Sequence, residues 1–197
     1  MDSVYFSHYC QEHFQRLPKS EFYRKKHFAI QTKYSIFAVE KINVHILMKV
    51  YHGGYMAIEM PKILKSRFPK DFGKGFYCTE LEEQAIRWAS RYDTAVVSIY
   101  EYTPKENLKT LVFEKMTEEW LDFIVACRSG RKHNFDVVIG AMANDQIYNY
   151  ISDFIDSILT REQFWVLAKF KHPTHQICFC SEKALKTLQF IDYKKNK

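Results

Sequence analysis

Asp71-Phe72-Gly73-Lys74-Gly75-Phe76-Tyr77-Cys78-Thr79 is the stretch on which the reading of this chain turns. Gly73 and Gly75 bracket Lys74, so the backbone can take a tight path before Phe76 and Tyr77 enter a strand. Pro61, Pro69 and several basic residues come before it, which predicts a loop over residues 62–74. Beyond it, Thr79 and Glu82 have the spacing of a capping box. They predict a helix to about Arg91, with Leu81, Ala85, Trp88 and Tyr92 on its apolar face. Upstream, Tyr51-His52-Gly53 closes a short apolar strand, residues 49–52, at a glycine pair. Downstream, His175-Gln176-Ile177-Cys178-Phe179 opens a strand over residues 176–180.

The remaining pattern alternates short strands and helices. Residues 95–102 and 135–139 read as strands, stopped by Pro104 and Gly140. Residues 117–127 and 145–159 read as helices, the second with a stripe of Ile147, Tyr148, Ile151, Ile155 and Ile158. Thr160 and Gln163 form a second capping box, and Ser181 starts a last short helix through Leu188. No internal repeat is present. Strands this short, unevenly interleaved with helices, predict a mixed α+β domain rather than a doubly wound α/β sheet.

Length and composition bound the class. A chain of 197 residues, 47% hydrophobic and 26% charged, suits one domain with a sizeable core. No apolar run approaches the ~20 residues that cross a bilayer, so no membrane role is expected. Five cysteines, at 10, 78, 127, 178 and 180, are an odd and scattered set, which points to reduced thiols and a cytoplasmic setting. A net charge of +6 suits an anionic ligand without demanding nucleic acid. Residues 1–47 stand apart, with no glycine, one proline, nine aromatics and a net charge of +3. Either they are an N-terminal extension, with residues 4–17 an amphipathic helix, or Met48 is the initiator. Both readings leave 48–197 as the domain.

The three strings, in this order, resemble the three motifs of the ADP-ribosyltransferase superfamily, whose members break the nicotinamide–ribose bond of NAD. The middle string looks like the FGKGIY stretch of the poly(ADP-ribose) polymerase branch, with Phe76 where that branch has isoleucine. Continued through Gln84-Ala85 and Trp88-Ala89, it resembles more closely a small bacterial family catalogued as domain of unknown function 3990. The resemblance runs from about Met48 to the C-terminus. It implies a split β-sheet core with NAD, as substrate, held between two small sheets, and a macromolecular acceptor of ADP-ribose. Similar stand-alone bacterial domains suggest a toxin with an antitoxin partner.

Breaking this bond passes through an oxocarbenium-like ribose as neutral nicotinamide leaves, so the site must clamp the carboxamide, cover the ring and stabilise positive charge. The resemblance gives His52 a hydrogen bond to a ribose hydroxyl, and Gly53 a backbone clamp on the carboxamide that a side chain would block. It lets Gly75 pass the loop tightly, and lays Tyr77 and Trp88 on the two ring faces. Trp88, on the apolar helix face, also reads as ordinary core. Gln176 stands where active members usually carry a glutamate. An amide can bond the ribose hydroxyl without supplying charge, which favours slow or single transfer, or a non-catalytic NAD or ADP-ribose binding module. On this reading Gln176→Glu would add charge beside the oxocarbenium and raise the rate. Asp145 is the best substitute acid, though it reads first as a helix-initiating aspartate.

Other signals are weaker. Asp71 and Lys74 either position the loop or meet phosphate, and Lys65, Arg67 and Lys70 extend a basic loop. His172, His175, Cys178 and Cys180 do not have an established zinc spacing. Gly73-Lys74-Gly75 is neither a dinucleotide fingerprint nor a P-loop.

Overall fold

The computed structural model describes residues 47–64, 70–143, 145–168 and 174–196. The N-terminal extension, its helix over 4–17, and the loop residues Lys65 and Arg67 lie outside them. The described elements run β1 (Met48–Gly54), β2 (Phe76–Cys78), α1 (Glu82–Ala89), β3 (Ala95–Tyr102), β4 (Thr110–Val112) and α2 (Glu118–Arg128). They continue with β5 (Val137–Gly140), α3 (Asp145–Ile155), α4 (Arg161–Leu167), β6 (Gln176–Phe179), α5 (Glu182–Leu185) and β7 (Leu188–Asn196).

These elements make a mixed α+β fold with two sheets. One has the order β1-β3-β7 and the other β2-β6-β5-β4. Every pairing is antiparallel except β4 with β5. Among the described residues one isolated bridge joins the sheets, where Tyr51 donates to the Thr79 carbonyl at 2.8 Å and accepts from the Thr79 amide at 2.9 Å. Alternation along β6 sends Ile177 and Phe179 into one apolar cluster, with Val50, Phe76, Tyr100 and Tyr102. Cys178 goes into another, with Phe72, Trp120, Leu121, Ile147 and Phe164. Both faces of this sheet are therefore covered, which explains why β5 and β6 read as unbroken apolar runs.

Several sequence expectations hold. The strand at 95–102 has the expected bounds. Thr160 and Gln163 form a reciprocal capping box, with the Thr160 amide donating to Gln163 Oε1 at 2.8 Å.

Others are corrected. The helix after β2 has no capping box: its N-cap is Leu81, without a side-chain bond, because the Thr79 backbone is spent on Tyr51. Its inward face is Gln84, Ala85 and Ala89, whereas Leu81 and Tyr92 are exposed. α3 stops at Ile155 because Ser157 takes a positive φ of 59°, which leaves Ile158 out of the stripe and 69% exposed. The last helix ends at Leu185, and Leu188 instead begins β7, a nine-residue strand along β3.

Candidate functional site

The junction of the two sheets organises the site. Tyr51 turns its N–H and C=O toward Thr79, so the period-two alternation of β1 turns those of Gly53 the same way, off β3. Antiparallel continuation of the bridge would set Gly53 against Tyr77. The ladder opens there instead. The carbonyl of Tyr77 is taken by His52 Nδ1 at 2.7 Å, and among the described residues no hydrogen bond crosses from Gly53 to β2. Two backbone groups of Gly53 and the His52 ring edge this break in the ladder.

His52 is stacked on Phe76, with ring centroids 4.5 Å apart. Burial, opposed by the Tyr77 carbonyl bond and helped by nearby Lys70, holds its pKa below the ordinary 6.5. The ring is therefore neutral at pH 7. Its single proton sits on Nδ1, because a carbonyl can only accept, and Nε2 keeps its lone pair. That nitrogen takes no hydrogen bond from the described residues.

Tyr77 does more than offer a ring face. Its hydroxyl donates to the Gly73 carbonyl at 2.7 Å and accepts from the Phe72 amide at 3.1 Å, tying down the glycine loop. Burial drives its pKa well above 10.0. The loop is tight for steric reasons as well. Gly73 has φ of +74°, and a Cβ on Gly75 would fall 2.3 Å from Cys178 Sγ. Trp88 belongs to none of the three apolar clusters. Arg91 lies 4.2 Å and Lys70 5.9 Å from its ring centre, so its surroundings are cationic rather than apolar.

Gln176 sits at the head of β6, level with Gly140 and buried. Its Nε2 donates to Asp71 Oδ2 at 3.0 Å and to the Ala141 carbonyl at 3.2 Å, so only Oε1 remains to meet a ligand. Asp71 is the hub of a buried network, also accepting from Arg128 Nε at 3.1 Å, from Arg128 Nη2 and from the Ala143 amide at 3.0 Å. Asp145 opens α3, and its side chain is outside the described set.

Sequence reasoning missed the residues that brace the strand head. Gln84, on α1, donates to the His175 carbonyl at 2.6 Å and accepts from the His175 amide at 3.0 Å, as a paired strand residue would. The Glu80 amide donates to His175 Nδ1 at 3.3 Å, and the Glu80 carboxylate lies 3.9 Å from His175 Nε2. The spacing of Gln84 in the helix was the one available signal, since a polar residue on an inward face demands partners. Two shallow concavities, along 112–119 and 159–167, are lined by none of these residues.

Because the Gln176 amide is engaged within the protein, a carboxylate at 176 carries a stability cost of its own. Gln176→Glu removes two donated hydrogen bonds and sets a second carboxylate beside Asp71. We expect a loss of about 2–3 kcal/mol at pH 7. Repulsion keeps the folded pKa of the new acid above its unfolded value of about 4.3, so the part of the loss due to charge is absent below that pH and grows as pH rises toward the folded pKa. The missing second hydrogen bond costs the same throughout. Urea midpoints of variant and parent at acid and neutral pH check this. An equal deficit at both would remove charge repulsion as the cause.

Residues 48–190 match the family described as protein of unknown function (DUF3990). No curated protein matches the chain. Among the described residues no helix is long and apolar enough to cross a membrane.

Proposed function

The chain belongs to the DUF3990 family, and from the geometry of its sheet junction we propose an ADP-ribosyltransferase-like domain that binds NAD there and transfers ADP-ribose to a macromolecule. The observation that carries this reading is the opened ladder between Gly53 and Tyr77, with the His52 ring hydrogen-bonded across it. A free backbone donor and acceptor on one residue suit a carboxamide, which is itself a donor and an acceptor. The Nε2 lone pair suits a ribose hydroxyl. Tyr77 and Trp88 supply aromatic faces for the nicotinamide, and Lys70 and Arg91, beside Trp88, supply charge for the pyrophosphate. By superfamily analogy the domain acts in the cytoplasm as a toxin held by an antitoxin protein.

In this reading Gln176 Oε1 accepts from the nicotinamide-ribose hydroxyl, and the Asp71–Arg128 network fixes its orientation. Asp145 remains the substitute acid. One observation favours the second reading, a non-catalytic NAD or ADP-ribose binding module: the amide of Gln176 is committed to Asp71 and Ala141, and only a neutral acceptor is left over.

His52→Ala is expected to weaken NAD binding by about three- to tenfold, the worth of one hydrogen bond. Wild-type affinity should also fall as pH drops below 6.5, through the depressed pKa, as Nε2 gains a proton and ceases to accept. Calorimetric titration of the full chain with NAD checks both. Nicotinamide release, followed on the same protein, then separates transferase from binder. A folded protein that shows no heat and no thermal stabilisation with NAD would defeat both readings.

A further inference from the structure

We propose that Cys178 and Cys180 are an oxidant-sensitive dithiol, which a hydroperoxide attacks at Cys180 and which then closes to a disulfide within the strand end. This does not rest on the NAD reading. Residues two apart on a strand project to one face, and here the two sulfurs lie 3.3 Å apart. Their Cα separation, ~6.6 Å from strand geometry, lies at the long end of the disulfide range. Cys180 lies one residue past the end of β6, where, among the described residues, its backbone is held by one bond, from its amide to the Asp136 carbonyl at 2.8 Å. It is therefore the half of the pair that can move.

The two thiols differ in environment. Cys178 is fully buried, and burial keeps it protonated. Cys180 is partly exposed, and His133 faces it. The Phe135 amide donates to His133 Nδ1 at 3.2 Å, which leaves the ring proton on Nε2, between the Phe72 carbonyl at 3.0 Å and Cys180. The Cys178 S–H and then the His133 N–H stabilise a Cys180 thiolate, against burial, bringing its pKa to about 6. Cys78 and Cys127 are the internal contrast. Burial raises both, Cys127 to about 12.

The chemistry balances. The Cys180 thiolate attacks one peroxide oxygen; the S–O bond forms, the O–O bond breaks, and the departing alkoxide or hydroxide takes a proton from water. Cys178 then attacks the sulfenic sulfur; the S–S bond forms, the S–O bond breaks, and the hydroxide leaves as water with the Cys178 proton. Two thiols are oxidised and one hydroperoxide is reduced. The sulfur of Cys178 sits directly beneath Gly75 and on the residue paired with Tyr77, so this step displaces the support of the glycine loop.

The test uses reduced full-length protein and hydrogen peroxide as the probe, followed by alkylation and tryptic mapping. Peptide 172–183, which carries both cysteines, should lose the mass of two hydrogens and resist alkylation until dithiothreitol is added. Cys78 and Cys127 should stay alkylatable. Cys178→Ser should stop at a Cys180 sulfenic acid, trapped by dimedone. Should that variant not fold, the native wild type still decides: at pH 7 iodoacetamide should label Cys180 at least about tenfold faster than Cys127. A peptide with two alkylated thiols after peroxide, a disulfide from Cys180 to another cysteine, or equal labelling rates would overturn the proposal.

Discussion

Asp71→Ala is expected to destabilise the domain by about 3–5 kcal/mol, the range for stripping one partner from a buried ion pair. Asp71 and Arg128 are 7% and 8% exposed, so neither charge has water to fall back on. Removing the carboxylate leaves the guanidinium with the Tyr148 carbonyl, 3.0 Å from Nη1, and with the Tyr148 ring beneath it. It also leaves the Ala143 amide without its acceptor and takes from Gln176 one of its two. Asp71→Asn, which keeps one carbonyl oxygen, should fall between parent and Ala. Asp71→Ala with Arg128→Met should lose less than the two single losses added, since no buried charge is then stranded. Urea unfolding of the parent, the two Asp71 variants, Arg128→Met and the double variant measures all of this, and a loss below about 1 kcal/mol for Asp71→Ala would mean that water reaches the pair. The effect extends past stability: Asp71 anchors the entry to the glycine loop and, through Gln176, the head of β6.

That network also shows why part of the site was unreadable from the sequence. Asp71 meets Arg128 across 57 residues and Gln176 across 105, and no local spacing records such a meeting. What was readable was local. The Thr160–Gln163 capping box spans three residues and forms as expected. The apolar runs of β3, β5 and β6 announced themselves because both faces of their strands are largely covered. The same box pattern at Thr79 and Glu82 misled, because a tertiary contact, the bridge to Tyr51, claims the Thr79 backbone first. β7 was hidden for the opposite reason. As an edge strand carrying Asp192, Lys194 and Lys195, it needs burial on one side only, and its pairing with β3 is fixed by partners some ninety residues away. Of the named site residues, His52, Gly53 and Tyr77 meet at the sheet junction, Gly75 packs instead against Cys178 and Phe179 of β6, and Trp88 stands outside the apolar clusters, among cations. Gln176 lies at the expected strand head but with its amide engaged.

Gly53→Val is expected to cost about 3 kcal/mol or more, as strong overpacking against backbone does. The resemblance gives this glycine ligand access alone, as a clamp that a side chain would block. Its surroundings give it a second duty. A Cβ on Gly53 would fall 2.2 Å from the Ala85 carbonyl oxygen and 3.0 Å from the Ala89 amide, both backbone atoms of α1 that no rotamer change can move. The helix would have to lift from β1 and give up the small cluster of Ala85, Ala89 and Val97. The neighbouring glycine separates the two duties. A Cβ on Gly54 meets nothing closer than His52 Nε2, at 3.4 Å. Gly54→Ala should therefore stay folded while crowding the His52 Nε2 lone pair, lowering NAD affinity with little change in urea midpoint. Circular dichroism in urea and calorimetry with NAD, run on both variants, read fold and binding apart. A Gly53→Val protein as stable as the parent would show that α1 is not seated on β1 as described. A Gly54→Ala protein that binds as the parent does would take His52 Nε2 out of the site.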